Sequence, residues 1–182
     1  MQSTPSFQEL IPFGENGFSF RCQALAHLDE HQLKVHFRLS GDVSAILLPP
    51  HNINPSRRDG LWEHTCFEFF LNPTGQDTYW ELNFAPSGDW AAYRFTSYRA
   101  GMAVEERIQN VTIRIAKEST QYQEWQATLD LSGIAERNRH LICGLSCVIE
   151  TNDKQKTYWA LSHPATKPDF HSKESFKESL CN

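Results

Sequence analysis

Glu68 and Glu81 are the residues of this sequence whose type and spacing could do chemistry. They fall in consecutive strand-like runs, 64–71 and 78–84, separated by the turn signal Asn72-Pro73-Thr74-Gly75. Two carboxylates on one face of adjacent antiparallel strands can act as the acid/base pair that cleaves a glycosidic bond. They can equally form the polar rim for a hydroxyl-rich ligand, or partner Arg in a network that fixes strand register. Burying them without partners would be costly, so each reading requires partners. No GxSxG, HExxH, phosphate loop or glycine fingerprint accompanies them. The expectation is a protein that binds and does no chemistry, with glycoside hydrolysis by Glu68 and Glu81 as the catalytic alternative.

The elements that must position this pair read as strands. In the first run Phe67, Phe69 and Leu71 oppose Cys66, Glu68 and Phe70; in the second Trp80, Leu82 and Phe84 oppose Tyr79, Glu81 and Asn83. A third run, 90–98, follows the turn Pro86-Ser87-Gly88-Asp89 and sets Ala91, Tyr93 and Phe95 against Trp90, Ala92 and Arg94. Short turns make the three antiparallel neighbours. Their second faces then pool Glu68, Tyr79, Glu81, Asn83, Trp90 and Arg94, a surface suited to something polar and flat. Further strands are predicted at 17–27, 33–40, 111–117, 122–131, 141–150 and 157–161, with a short edge piece at 45–48 stopped by Pro49 and Pro50. Residues 132–139 have room for one helical turn. The tail predicts a short helix capped by Ser172, with Phe176 and Leu180 packing at i, i+4. About ten strands with almost no helix predict an all-β antiparallel β-sandwich, immunoglobulin-like or jelly-roll-like; a closed barrel is the competing architecture.

The 182 residues suit a single domain, 1–182, and 12% aromatic content with five Trp and twelve Phe builds its core from rings. A net charge of −5 without a basic stripe argues against a nucleic-acid partner. No run of about 18 apolar residues is present to span a membrane. The N-terminal segment lacks the basic and apolar regions of a secretory signal. Five cysteines, an odd number without a CxxC pair, read as free thiols, and Cys143 and Cys147 share one strand face as small buried hydrophobes. These features predict a cytoplasmic protein.

Three blocks carry a family resemblance: LWEHTCFE, YWELNFAPSGDWAAYRF, and YWAL followed by HP and KPDFH. They resemble the DOMON-like domains of bacterial proteins, which are akin to family 9 carbohydrate-binding modules. The resemblance implies a β-sandwich that holds sugar or haem on one face or rim. Sugar rings stack on aromatic planes while their hydroxyls need paired donors and acceptors. Related modules hold sugar between two Trp rings, and Trp62 and Trp159 lie in the matching blocks, with Trp90 a third candidate. Arg58, Glu68, Glu81, Asn83 and Arg94 would supply hydrogen bonds, while His163 and Asp169 would shape the rim. The haem alternative needs Met102, the one Met besides the initiator, with His163 or His171. Related modules also carry structural calcium, and Asp59, Asp77 and Asp89 sit in loops where it would fit. No other cofactor is expected, because His64, His163 and His171 with Asp169 and Glu63 lack ligand spacing on a single element. A third reading has the exposed aromatic rim dock a protein partner.

Overall fold

The computed structural model describes residues 6–14, 17–134, 140–176 and, for the backbone, 178–180. Twelve strands account for almost all regular structure: β1 Gln8–Pro12, β2 Phe20–Asp29, β3 Gln32–Gly41, β4 Cys66–Pro73, β5 Tyr79–Phe84, β6 Trp90–Phe95, β7 Ala103–Val104, β8 Val111–Ser119, β9 Tyr122–Asp130, β10 Leu141–Glu150, β11 Lys156–Ala160 and β12 Glu178–Leu180. Period-two alternation explains them. In β3, Leu33, Val35, Phe37 and Leu39 are buried while Gln32 and Lys34 stay exposed. β4 and β5 are buried along their whole length and β10 at every position but Ile142, which requires cover on both faces.

The strands form one antiparallel hydrogen-bonded path, β7-β6-β5-β4-β10-β11-β1-β2-β3-β9-β8, with β12 added beside β10. The short β1 joins its two halves. Gln8, Glu9 and Leu10 pair with β2, and Ile11 and Pro12 pair with β11. The path curls so that its halves share one apolar core: Phe37 of β3 stacks on Phe67 of β4 at 4.7 Å between ring centroids, and Trp125 of β9 tilts against the same ring at 5.1 Å. Among the described residues β7 and β8 do not pair, so the path stays open.

A second, smaller apolar cluster lies on the opposite face of β4, β5, β6, β10 and β11, where Phe70, Tyr79, Tyr93, Phe95 and Val148 meet Phe170 and Phe176 from the C-terminal segment. Phe176 reaches down because β10 carries Gly144 beneath it; a Cβ at that position would lie 2.6 Å from Phe176 Cδ1.

The all-β, antiparallel expectation agrees with this architecture. Three differences stand out. β1, β7 and β12 are additional strands, each too short to show periodicity. The expected edge piece at 45–48 is a 3-10 turn, Val43–Ala45, followed by a bridge from Ile46 to Thr151. In place of the C-terminal helix there is a 3-10 turn, Lys173–Ser175, preceded by Ser172 without a side-chain cap, and then β12, whose Leu180 pairs with Leu141. Pairing with β10 satisfies backbone groups that a two-turn helix would have left open. Cys22, Cys66 and Cys147 are buried free thiols, and Cys143 is buried as well. Cys181 and residues 135–139 lie outside the described residues.

Candidate functional site

On the second face of the β4–β5–β6 ladder, Glu68 stands opposite Asn83, and Glu81 stands between Phe70 on one side and Tyr93 on the other. Glu68 and Glu81 are therefore diagonal neighbours on adjacent strands. Both are buried, and both line a cavity of about 460 Å³. The cavity's walls come from outside the ladder. The 3-10 turn Leu61–Glu63, entered through Gly60 at φ 72°, presents Trp62, whose ring meets Tyr93 edge-on at 5.7 Å. Tyr93 is itself tied to Asp59 through its hydroxyl. Tyr158 and Val148 contribute from β11 and β10, and Phe95 from the end of β6. Pro168, Phe170 and His171 close the side formed by the C-terminal segment.

The loop after β6 supplies the cation. The Thr96 amide donates to the Ala100 carbonyl, and Gly101 at φ +62° leaves the room that a Cβ, 2.2 Å from Thr96 Oγ1, would close. The turn holds Arg99 at φ 51° and directs Tyr98 and Arg99 onto one carboxylate: Asp169 accepts from the Tyr98 hydroxyl at 2.6 Å, Arg99 Nη2 at 2.9 Å and the His171 amide at 3.2 Å. These bonds hold Asp169 below its usual range against the effect of burial. The C-terminal segment is thereby latched to the β6–β7 loop.

Behind the latch runs a short relay. The Arg99 amide donates to the Tyr79 hydroxyl at 3.2 Å, and that phenol lies 2.8 Å from His171 Nδ1. Burial and the nearby guanidinium push His171 down to about 4, so its ring is neutral at pH 7 and Nδ1 accepts a hydrogen bond from the phenol. The remaining nitrogen, Nε2, then carries the hydrogen and faces Glu81 Oε2 at 3.7 Å. Burial pushes Glu81 up to about 7, and burial together with the Glu81 charge pushes Glu68 well above its ordinary value. Asn83 donates to Glu81 Oε1 at 2.8 Å, and the Ser146 hydroxyl donates to Glu68 Oε2 at 3.3 Å. The pair thus holds a proton near neutral pH in a recess that Arg99, Lys156 and His171 also line.

The structure divides the residues singled out in the sequence. Trp62, Glu68 and Glu81 line the cavity together, and Asn83 supports it from beneath as the donor to Glu81. Trp90 and Arg94 are a correction of phase. They pair with Phe84 and Trp80, which puts them on the core side of β6, while Ala91, Tyr93 and Phe95 take the face of Glu81. Trp90 is buried with the Arg57 guanidinium 4.4 Å over its ring. Arg94 is exposed beside a separate cleft of about 640 Å³, in which Glu105 accepts from Trp80 Nε1 and is clasped by Arg107. Trp159 is likewise a core residue. It lies opposite Cys147, donates to Thr157 Oγ1 at 2.9 Å and packs on Phe18 and Phe20. Its neighbour Tyr158 occupies the cavity side instead. Arg58 pairs with Asp89 at 3.3 Å, and His163 Nε2 donates to the Ile11 carbonyl at 2.8 Å, pinning β1. Neither lines the cavity. Arg99 was not singled out in the sequence, because a loop arginine about 70 residues from its partner Asp169 carries no periodic signal.

The calcium candidates do not converge. Asp59 serves Tyr93, Asp77 lies 3.6 Å from Lys173, and Asp89 collects Asn52, Ser87, the Ser56 amide and Arg58. Among the described residues no three His, Cys, Asp or Glu side chains are grouped to hold a metal. Met102 and His171 do line the same cavity. However, Nδ1 of His171 is engaged by Tyr79 and Nε2 faces Glu81, so neither nitrogen fits an axial bond to haem iron.

No family model matches the chain, and no curated protein matches it. Solved structures match in fold. A candidate carbohydrate-binding protein from Bacteroides uniformis superposes with a TM-score of 0.69 at 13% identity, over 97% of this chain and 85% of its own. A family 9 carbohydrate-binding module from Caldicellulosiruptor kristjanssonii, solved with cellotriose, superposes with a TM-score of 0.56 at 11% identity, over 97% of this chain and 82% of its own. The chain has the fold these two proteins share.

Proposed function

We propose that this chain is a non-catalytic carbohydrate-binding domain, DOMON-like and related to family 9 modules, that takes a sugar ring into the cavity beside Trp62. One observation carries the reading. A half-buried indole and the Tyr158 and Phe170 rings border a recess whose floor is two buried carboxylates. Aromatic faces beside concentrated hydrogen-bonding groups suit a molecule with apolar C–H faces and a polar rim. The fold neighbour solved with cellotriose supports the same class of ligand. Trp62 is the stacking platform. Glu68, Glu81 and Arg99 provide hydrogen bonds, and His171 presents its Nε2–H. The recess is partly open, and a single sugar site of this kind binds at about 1 mM, equivalent to about 4 kcal/mol.

The test is a calorimetric or NMR titration with mono- and oligosaccharides, followed by Trp62→Ala. A saccharide that binds the wild type and is lost in the variant supports the site. Binding that survives Trp62→Ala moves it elsewhere, and a product accumulating during incubation with an oligosaccharide would replace binding with hydrolysis by Glu68 and Glu81.

A further inference from the structure

The groups around the cavity are unbalanced in two ways, and together these specify the ligand more narrowly. The first imbalance is in hydrogen bonding. Among the described residues, Glu68 Oε1 and Glu81 Oε2 receive no hydrogen bond, since Ser146 and Asn83 serve the other oxygen of each. Asn83 Oδ1 is fully buried beside them and is also without a donor. Two carboxyl groups sharing a proton thus meet at one floor, and the nearest imidazole nitrogen stops at 3.7 Å from Glu81. Carboxyl oxygens that face a cavity without a protein donor favour an occupant that brings donors.

The second imbalance is in charge. The other charged or titratable groups nearby are Arg99, Asp169, His171, Tyr79, Tyr93, Cys66 and Lys156. Arg99 is committed to Asp169, and His171 is neutral. The Tyr79 and Tyr93 phenols, pushed up to about 12 and beyond, and the buried Cys66 thiol carry no charge at pH 7. Lys156 is exposed at the mouth. The Arg99 charge reaches both glutamates, but its half-exposed guanidinium is bonded to Asp169, so among the described residues no cation is bonded to either carboxylate, and the rings of Trp62, Phe95 and Tyr158 border the same space. Aromatic faces and carboxylates both attract an ammonium group.

Resting on the saccharide reading above, we propose that the cavity selects an amino sugar, bearing a protonated amine, over its neutral counterpart. The ammonium places its N–H donors on Glu68 and Glu81, which line the cavity, and supplies the missing positive charge. It also stabilises both carboxylates in ionised form, so the proton held by the pair leaves to solvent as the ligand binds.

Isothermal titration calorimetry on the full chain at pH 7 tests this, using D-glucose, D-galactose and D-mannose beside their 2-amino and 2-acetamido forms. At least one amino form should bind about five-fold or more tightly than both its partners. Its heat should vary with the ionisation enthalpy of the buffer, reporting proton release. Glu68→Gln and Glu81→Gln should each bring the amino-to-neutral ratio toward one. Amino forms that bind no better than neutral ones overturn this inference and leave the saccharide reading intact. Failure of every sugar to bind overturns both, and the comparison on wild-type protein decides even if a variant fails to fold.

Discussion

Trp62 and Trp159 both stand in blocks that suggested a pair of stacking rings, yet they have different surroundings. Trp159 is 3% exposed within the shared core, whereas Trp62 is half-buried at the cavity. Trp159→Ala should therefore lower stability by about 3–5 kcal/mol, the range for truncating a buried Trp, measured by urea denaturation. Trp62→Ala should cost less than half of that and weaken sugar binding instead; equal losses of stability would make Trp62 another core residue. Glu81 offers a pH signature. Its folded value of about 7 lies above its ordinary 4.5, so between these limits the folded chain retains a proton the unfolded chain has lost. Stability from this group falls as pH rises from about 4.5 to about 7 and is level above, by roughly 3 kcal/mol in all. His171 opposes it: depressed to about 4 from 6.5, it adds stability as pH rises through that interval. Glu81→Gln removes the first effect, and by removing the charge that raises Glu68 it weakens that group's effect in the same direction, while His171 keeps its own. Between pH 5 and pH 8, melting temperatures of the variant should rise relative to wild type, and parallel curves would show that the carboxyl does not titrate in this range.

At the scale of the element, legibility depended on whether a strand's two faces differ in kind. β4 and β5 carry glutamate on one face and only apolar side chains opposite, so their phase and the Glu68–Glu81 pairing could be read directly. In β6, WAAYRF offers a ring on either face, and only its register with β5 decides that Tyr93 rather than Trp90 joins Glu81. β11 repeats the ambiguity with Tyr158 and Trp159 side by side, where a shift of one residue exchanges core and cavity. β1 offers a single buried residue in five, which is too little pattern to be seen. The site also depends on one position without a side chain. Gly144 admits Phe176 over β10, and Phe176 anchors the segment that brings Asp169 and His171 to the cavity. Gly144→Ala should displace that ring and cost about 1–3 kcal/mol. Because the latch is local, the variant should also show faster proteolysis near residues 163–176 than in the strands. A stability loss without this local effect would mean that the Asp169 latch, the Tyr79–His171 bond and β12 hold the segment without Phe176.

For the whole molecule, the question is whether the two halves of the strand path unfold together. Backbone continuity between them rests on β1, only five residues long, which argues for independence. The core argues the other way. Phe37 and Trp125 from one half both lie against Phe67 from the other, and neither half can expose its inner face without stripping the other's. Burial of large rings outweighs a few strand hydrogen bonds, each with a net worth of about 1 kcal/mol. One cooperative transition is therefore expected. Leu10, buried on β1, provides the probe. Leu10→Ala should lower stability by about 2–5 kcal/mol while leaving a single transition. Hydrogen exchange followed by mass spectrometry at rising denaturant reads both halves at once. Peptides from β3 and from β10 should lose protection at a common midpoint, in wild type and variant alike. β8, an edge strand whose residues are mostly exposed, should exchange earlier through local opening. Separate midpoints for β3 and β10 in the variant would show that β1, and not the shared aromatic core, couples the halves; the cavity, built wholly on the β4–β5–β6–β10–β11 side, would then survive loss of the other half.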